Sequence, residues 1–308
     1  MGFALQQFGR VITAMVTAFD NDGVLDVDET VRVARFLEAS GNTALVVSGT
    51  TGEASTLTDP EKLELWSTIS DAVTIPVLAG SGTNDTPHSI KMTKSASKLG
   101  ISGILAVGPY YNRPAQSGIL GHLDAMAKAT DLPVIVYDIP IRTGRKIANE
   151  TVLRLVDANA NVVGLKDASG DPATTAMLIA KMSSTFDVYS GDDSLTLPLM
   201  AIGAVGVIGV ATHWATPLFK DMIEAFLQGD HIRAVKLNSL LIPSYNFETS
   251  ETAPNPVPTK VLMEAMGFNV GECRLPLGPP PEDLAKQALL VLDEIKSVLD
   301  DYSIEATS

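Results

Sequence analysis

Eight short apolar runs, each followed by a longer stretch with a helix-like apolar stripe, constrain this chain more than any other feature. They are Val11 to Val16, Ala44 to Val47, Pro76 to Ala79, Gly103 to Val107, Pro133 to Tyr137, Asn161 to Lys166, Phe186 to Ser190 and Val205 to Val210. A strand apolar at nearly every position is covered on both faces, as in a parallel sheet flanked by helices. The intervening stripes, such as Val27, Val31, Ala34 and Leu37 or Leu63, Trp66, Ile69 and Val73, are spaced to bury one helix face. Thr58-Asp59-Pro60-Glu61 and Asp171-Pro172 mark helix starts, each combining a capping side chain with an early proline. Eight βα units predict an α/β fold, a closed (β/α)8 TIM barrel. An open doubly wound sheet is the rival, but no GxGxxG follows any strand; Gly203, Gly206 and Gly209 stand three apart instead.

After about residue 212 the pattern is only helical, with a stripe at Leu284, Ala288, Val291, Ile295 and Val298. This predicts a barrel domain over 1–228 and a C-terminal helical region over 229–308 packed on it. Ser244 to Pro258, rich in Ser, Thr, Glu and Pro, reads as a long loop. The apolar run from Ala201 to Ala211 is broken by glycines and far short of the ~20 residues of a membrane helix. A net charge of -14 argues against nucleic acid or an anionic membrane as partner. The single cysteine, Cys273, excludes an intrachain disulfide and a multi-cysteine metal site, and suits a reducing compartment with the cytoplasm as default. Met1 to Gln6 carries neither an export signal nor the Ser or Thr of a myristoylation site. His88, His122, His213 and His231 show no paired ligand spacing, so no metal is implied.

In such barrels the chemistry sits at the C-terminal ends of the strands. Lys166 ends the sixth run. Strand alternation would point Val162, Gly164 and Lys166 the same way, with Gly164 leaving room beside the amine. A buried lysine is pushed toward its neutral form, and a neutral amine attacks a carbonyl to give a Schiff base. Ser48-Gly49-Thr50-Thr51-Gly52-Glu53 ends the second run, either as an ordinary turn or as a cradle for a small anion. Gly108 to Pro114 forms an aromatic loop with Tyr110 and Tyr111. The fifth run ends in Tyr137, with Arg142 close behind: a phenol that can shuttle protons and a guanidinium that can grip a carboxylate, or a core tyrosine and a surface ion pair. Ser190-Gly191-Asp192-Asp193 reads first as a helix cap, then as a hydrogen-bonding corner or a metal site.

At these residues the chain resembles the dihydrodipicolinate synthase (4-hydroxy-tetrahydrodipicolinate synthase) family, within the pyruvate-dependent class I aldolases. GTTGE at Gly49 to Glu53, PYYNRP at Pro109 to Pro114, YDIPIRTG at Tyr137 to Gly144, GLKDASG at Gly164 to Gly170, SGDD at Ser190 to Asp193 and NPVPTK at Asn255 to Lys260 occur in family order along nearly the whole chain. The resemblance implies that Lys166 forms an imine with pyruvate and that Thr50, Tyr111 and Tyr137 make a proton relay. It implies that Thr51 holds the pyruvate carboxylate, that Arg142 binds the carboxylate of L-aspartate 4-semialdehyde, and that Gly191 and the backbone at Ile208 line the pyruvate site. No cofactor is implied. Tyr111 is expected to reach a neighbouring subunit's site across a tight dimer interface, in a homodimer or in a homotetramer built from two dimers.

Sibling aldolases for sialic acid or ketodeoxy sugar acids share the lysine and GTTGE; Arg142-Thr143-Gly144 favours the synthase. A catalytically silent keto-acid-binding barrel is a further alternative, against which the intact relay speaks. Where lysine-inhibited members place a carboxylate and a histidine, this chain has His88 and Lys62, while Asn84 and Tyr110 are retained. Weak or absent inhibition by lysine is the expectation.

Overall fold

A computed structural model of the chain describes residues 2–305. Its strands are β1 Val11–Ala14, β2 Ala44–Val47, β3 Val77–Gly80, β4 Gly103–Val107, β5 Val134–Asp138, β6 Val162–Asp167, β7 Asp187–Ser190 and β8 Gly206–Gly209. They pair in parallel in sequence order, and β1 pairs with β8 to close the barrel. All eight expected strands are present. The helices are α1 Phe3–Phe8, α2 Val27–Ala39, α3 Asp59–Ala72, α4 Thr86–Ala96, α5 Gln116–Ala127, α6 Pro140–Thr143, α7 Asn149–Ala158, α8 Pro172–Ile179, α9 Thr196–Met200, α10 Thr216–Leu227, α11 His231–Phe247, α12 Val257–Ala265 and α13 Leu284–Glu305.

Alternation along each strand divides the core in two. Ile12, Val46, Leu78, Leu105, Ile135 and Ile208 fill the barrel, while Val47, Ala79, Ala106, Val136 and Val188 face the helices. The N-terminal end of the barrel is closed by α1, whose Ala4 and Phe8 join the interior and whose Leu5 N–H donates to Asp187 Oδ2 at 2.8 Å. Helix α3 starts on the expected capping box of Thr58 and Glu61, and α8 on Asp171, which accepts from the Thr174 N–H.

Three expectations need correction. In β6 the pair Val134–Val162 is followed by Ile135–Gly164, so Val163 is an inserted residue. Val162 packs outward against the helices and Val163 packs into the barrel, because one inserted residue inverts the parity of the strand below it. Val162 therefore does not share a face with Lys166. In α2 the buried stripe is Thr30, Val33, Ala34 and Leu37, with Val27 and Val31 only half-buried. Thr30 holds its core position by donating to the Asp26 carbonyl and accepting from the Ala18 N–H. Ser244 to Pro258 is not all loop: α11 runs to Phe247 and only 248–256 is irregular. Ser244 is buried and accepts from Trp214 Nε1 at 2.9 Å, and Phe247 packs edge-on against the same indole.

The turn 228–230 joins α10 to α11. From there α11, α12 and α13 share one apolar core with α10 and with Val11, Met200 and Val207 of the barrel. This packing carries the 248–256 loop to the C-terminal ends of the strands, where Asn255 and Pro256 line the cavity described next.

Candidate active site

The C-terminal ends of the strands surround a cavity of 270 Å³ lined by Thr50, Tyr110, Tyr137, Arg142, Asn255 and Pro256 among others. The first four come from βα loops or strand ends of the barrel. The last two come from the C-terminal region, beyond the eight strands.

Lys166 sits near the end of β6, paired in register with Tyr137 of β5, and is 4% exposed. Its Nζ lies 4.4 Å from the centre of the Tyr137 ring. Burial pushes the amine down from 10.5 to about 8; the Asp193 and Glu248 carboxylates oppose that shift and the Arg142 guanidinium adds to it. At pH 7 about one such amine in ten is neutral, against about one in three thousand at the ordinary lysine value. Burial also pushes the Tyr137 phenol up to about 12, with Arg142 and the Thr50 hydroxyl pulling it back, so the phenol is protonated at neutral pH. Tyr137 connects the two parts of the site, lining the cavity and carrying the lysine amine over its ring.

Room for the lysine comes from Gly191 and not, as expected, from Gly164. A Cβ on Gly191 would stand 2.8 Å from Lys166 Cγ and 3.0 Å from its Cε, whereas one on Gly164 would meet the Asp187 carbonyl oxygen at 2.8 Å. Gly164 lets two strands approach, and Gly191 lets the side chain pass. Ile208 is fully buried in the same interior cluster as Tyr137.

The GTTGE turn is bracketed by two residues with left-handed backbone, Ser48 at φ 54° and Glu53 at φ 55°. Such positions are held only where the surroundings over-determine them. Here Ser48 Oγ accepts from Trp66 Nε1 at 2.8 Å, and a Cβ on Gly80 would collide with the Ser48 carbonyl. The N–H groups of Glu53 and Ala54 turn back onto the carbonyls of Thr50 and Gly49, so part of the loop is an ordinary tight turn. Thr51 is buried, and its Oγ1 accepts from Asn255 Nδ2 at 3.0 Å. The Asn255 carbonyl accepts from Arg142 Nη2 at 2.9 Å, and its Oδ1 from the Thr259 hydroxyl at 3.1 Å. One asparagine thus ties the two expected carboxylate-binding side chains together. It was not among the expected site residues, although it opens the NPVPTK motif.

Tyr111 is not brought into the site of its own chain: it is 88% exposed with φ 71°, while its neighbour Tyr110 lines the cavity. The SGDD segment is both a cap and a hydrogen-bonding corner. Asp192 accepts from the Ser194 N–H, and Asp193 from the Val210 and Ala211 N–H groups. Among the described residues no group of three or more His, Cys, Asp or Glu is placed to hold a metal ion, and no helix is long and apolar enough to cross a membrane. His88 Nε2 lies 2.8 Å from Asp59 Oδ1, and Lys62 is 5% exposed with its amine pushed down by burial.

The sequence model of the Dihydrodipicolinate synthetase family matches residues 7–294. The chain belongs to this family. Among dihydrodipicolinate synthetase family relatives, the 4-hydroxy-tetrahydrodipicolinate synthase of Thermosynechococcus vestitus is 42% identical over 303 residues, covering 97% of this chain and 99% of its own. The crystal structure of the synthase from Cyanidioschyzon merolae with lysine bound superposes with a TM-score of 0.91 at 39% identity, covering 94% of this chain and 98% of that one. A monomeric dihydrodipicolinate synthase variant superposes with a TM-score of 0.90 at 36% identity, covering 95% and 98%. These family members share the closed barrel and the C-terminal helices along almost the full chain.

Proposed function

We propose that this chain is a 4-hydroxy-tetrahydrodipicolinate synthase, condensing pyruvate with L-aspartate 4-semialdehyde in lysine and diaminopimelate biosynthesis. The observation that carries this is a buried, partly neutral lysine over a protonated phenol, with an arginine at the mouth, in a chain of this family. The Lys166 amine attacks the pyruvate ketone, and the carbinolamine loses water to give an iminium. Tyr137 and Thr50 pass the protons that this step and the following deprotonation of the methyl carbon require. The resulting enamine attacks the aldehyde carbon, forming the carbon–carbon bond; ring closure by the substrate amine then releases Lys166. Thr51 helps hold the pyruvate carboxylate, Gly191 and the backbone at Ile208 line the pyruvate site, and Arg142 takes the semialdehyde carboxylate.

The barrel over 1–228 carries the chemistry. The helical region over 229–308, whose last three residues lie outside the described ones, packs on it and supplies Asn255. Tyr111 completes the relay of a second subunit in a homodimer or homotetramer, a role supported by its exposure and left-handed backbone. The enzyme works in the cytoplasm and needs no cofactor or metal.

The test is borohydride reduction with pyruvate followed by peptide mass analysis, combined with turnover on a panel of aldehydes. The peptide bearing Lys166 gains the reduced three-carbon acid, and aspartate semialdehyde is the preferred acceptor. An unchanged mass, or preference for N-acetylmannosamine or a sugar aldehyde, overturns the assignment. In the same panel Arg142→Ala raises KM for the semialdehyde at least about tenfold and leaves pyruvate binding within about twofold, one charged carboxylate contact being lost. Equal losses for both substrates would remove Arg142 from this role.

Inhibition by lysine is weak or absent. What supports this is that His88, held by Asp59, stands where a carboxylate would meet the inhibitor's ammonium, and that buried Lys62 stands where a histidine is common. Half-inhibition by submillimolar lysine in a steady-state assay would contradict this.

A further inference from the structure

The side chain of Asn255 does something to Thr51 that none of these steps uses: it decides which way the hydroxyl hydrogen points. Thr51 is 1% exposed, and the backbone around it is pinned by the Thr17 hydroxyl, which donates to the Gly52 carbonyl at 2.9 Å, and by the Glu53 N–H, which donates to the Thr50 carbonyl at 3.0 Å. A branched side chain on such a backbone is stiff, and rotation of the hydroxyl is the freedom that remains. Asn255 Nδ2 can only donate, so at 3.0 Å the Thr51 oxygen must accept. Its own hydrogen is then directed elsewhere, and among the described residues it meets no acceptor.

Asn255 is itself held at its other polar atoms. Its N–H donates to Thr249 Oγ1 at 3.3 Å, its carbonyl accepts from Arg142 Nη2 at 2.9 Å, and its Oδ1 accepts from the Thr259 hydroxyl at 3.1 Å. The opposite orientation of the amide would move the spare hydrogen to Thr259, in the first turn of α12, which is 0% exposed and meets no other acceptor among the described residues. A buried donor without a partner is costly wherever it stands. On Thr51 an arriving carboxylate removes that cost.

We propose that Asn255 is a positioning residue that holds the Thr51 hydroxyl as a hydrogen-bond donor toward the keto-acid carboxylate, so that the pyruvate site favours an anionic oxygen before the substrate enters. This rests on the Schiff-base reading above and on the place of Thr51 in it. Asn255 acts through Thr51. Its bond to Arg142 is different in kind, because it uses the main-chain carbonyl and survives a change of side chain. Side-chain variants at this position therefore separate the two substrates.

The experiment is a mutant cycle in the full chain, with borohydride trapping measured against pyruvate concentration. The carboxylate of Asn255→Asp can only accept, so it reverses the bond and turns the Thr51 hydrogen toward itself; half-saturating pyruvate rises at least about tenfold. Asn255→Ala frees the hydroxyl without reversing it and raises that concentration about threefold, while KM for the semialdehyde in steady-state turnover stays within about twofold. In a Thr51→Val background there is no hydrogen to direct, and Asn255→Asp raises half-saturating pyruvate by less than about threefold; in a Thr51→Ser background, which keeps the hydroxyl, the full effect returns. An Asn255→Asp effect of equal size with and without the hydroxyl overturns the proposal, because it is then simple repulsion between two negative charges. Equal losses for pyruvate and semialdehyde in Asn255→Ala also overturn it, because the loop has then moved and taken Arg142 with it. Should Asn255→Ala fail to fold, the cycle of Asn255→Asp with Thr51→Val and Thr51→Ser decides alone. If wild type traps no pyruvate, the fault lies with the Schiff-base reading; if it traps and the cycle shows no coupling, the fault lies with the role given to Asn255.

Discussion

Lys166→Ala is expected to lower the rate of carbon–carbon bond formation by about 10⁴-fold or more, because in the proposed mechanism it removes the atom that becomes bonded to the keto acid. Lys166→Arg fails equally, since a guanidinium stays protonated at any working pH and cannot act as the nucleophile. The wild-type pH profile carries the same information. Burial holds the amine at about 8, and only its neutral form attacks, so the trapping rate rises about tenfold per pH unit below that value and levels above it. Stopped-flow trapping with pyruvate and borohydride measures both. Retention by Lys166→Ala of even about a hundredth of the wild-type rate, or a profile still climbing steeply at pH 10, would show that another group does the chemistry.

The second large effect is on stability. Glu53 closes the GTTGE turn, and its Oε1 meets Lys260 Nζ at 2.9 Å with both side chains almost wholly buried. The other oxygen accepts the Arg274 N–H at 2.9 Å, and Lys260 Nζ also donates to the Glu272 carbonyl at 3.0 Å. The Phe19 ring lies 4.2 Å from the lysine amine and 4.1 Å from the Arg274 guanidinium. Replacing Glu53 by alanine leaves a buried ammonium without its counter-charge, a change that costs about 3–5 kcal/mol. Urea unfolding followed by circular dichroism reads the loss as a lower midpoint. A loss below about 1 kcal/mol would mean that water reaches the pair, as it does for exposed ion pairs. Because Thr50 and Thr51 stand just before Glu53, the variant that remains folded also binds pyruvate more weakly.

The barrel was legible because parallel strands covered on both faces leave continuous apolar runs, and turn residues punctuate them. Lys166, Tyr137 and Arg142 were legible because strand ends in this fold converge on one place, so polar residues there need no further address. Val163 was invisible for a physical reason: in a strand buried on both faces an inserted apolar residue changes no polarity pattern, and only pairing partners reveal it. The role of Gly191 was hidden in the same way, since the side chain it accommodates belongs to a neighbouring strand. Asn255 lies in a stretch whose composition reads as loop, and the two cavity-end residues it ties, Thr51 and Arg142, are 204 and 113 residues away in sequence. Only the family motif marked it. Ser244 and Phe247 look like loop residues until Trp214 supplies the hydrogen bond and the ring that extend the helix.

The distance between Thr51 and Asn255 has a consequence for how the molecule is made. A ribosome releasing this chain completes all eight strands, Lys166 and both tyrosines before the asparagine that ties Thr51 to Arg142 has emerged. On the proposed mechanism the nascent barrel therefore passes through a stage in which the nucleophile is present but its substrate grip is unfinished.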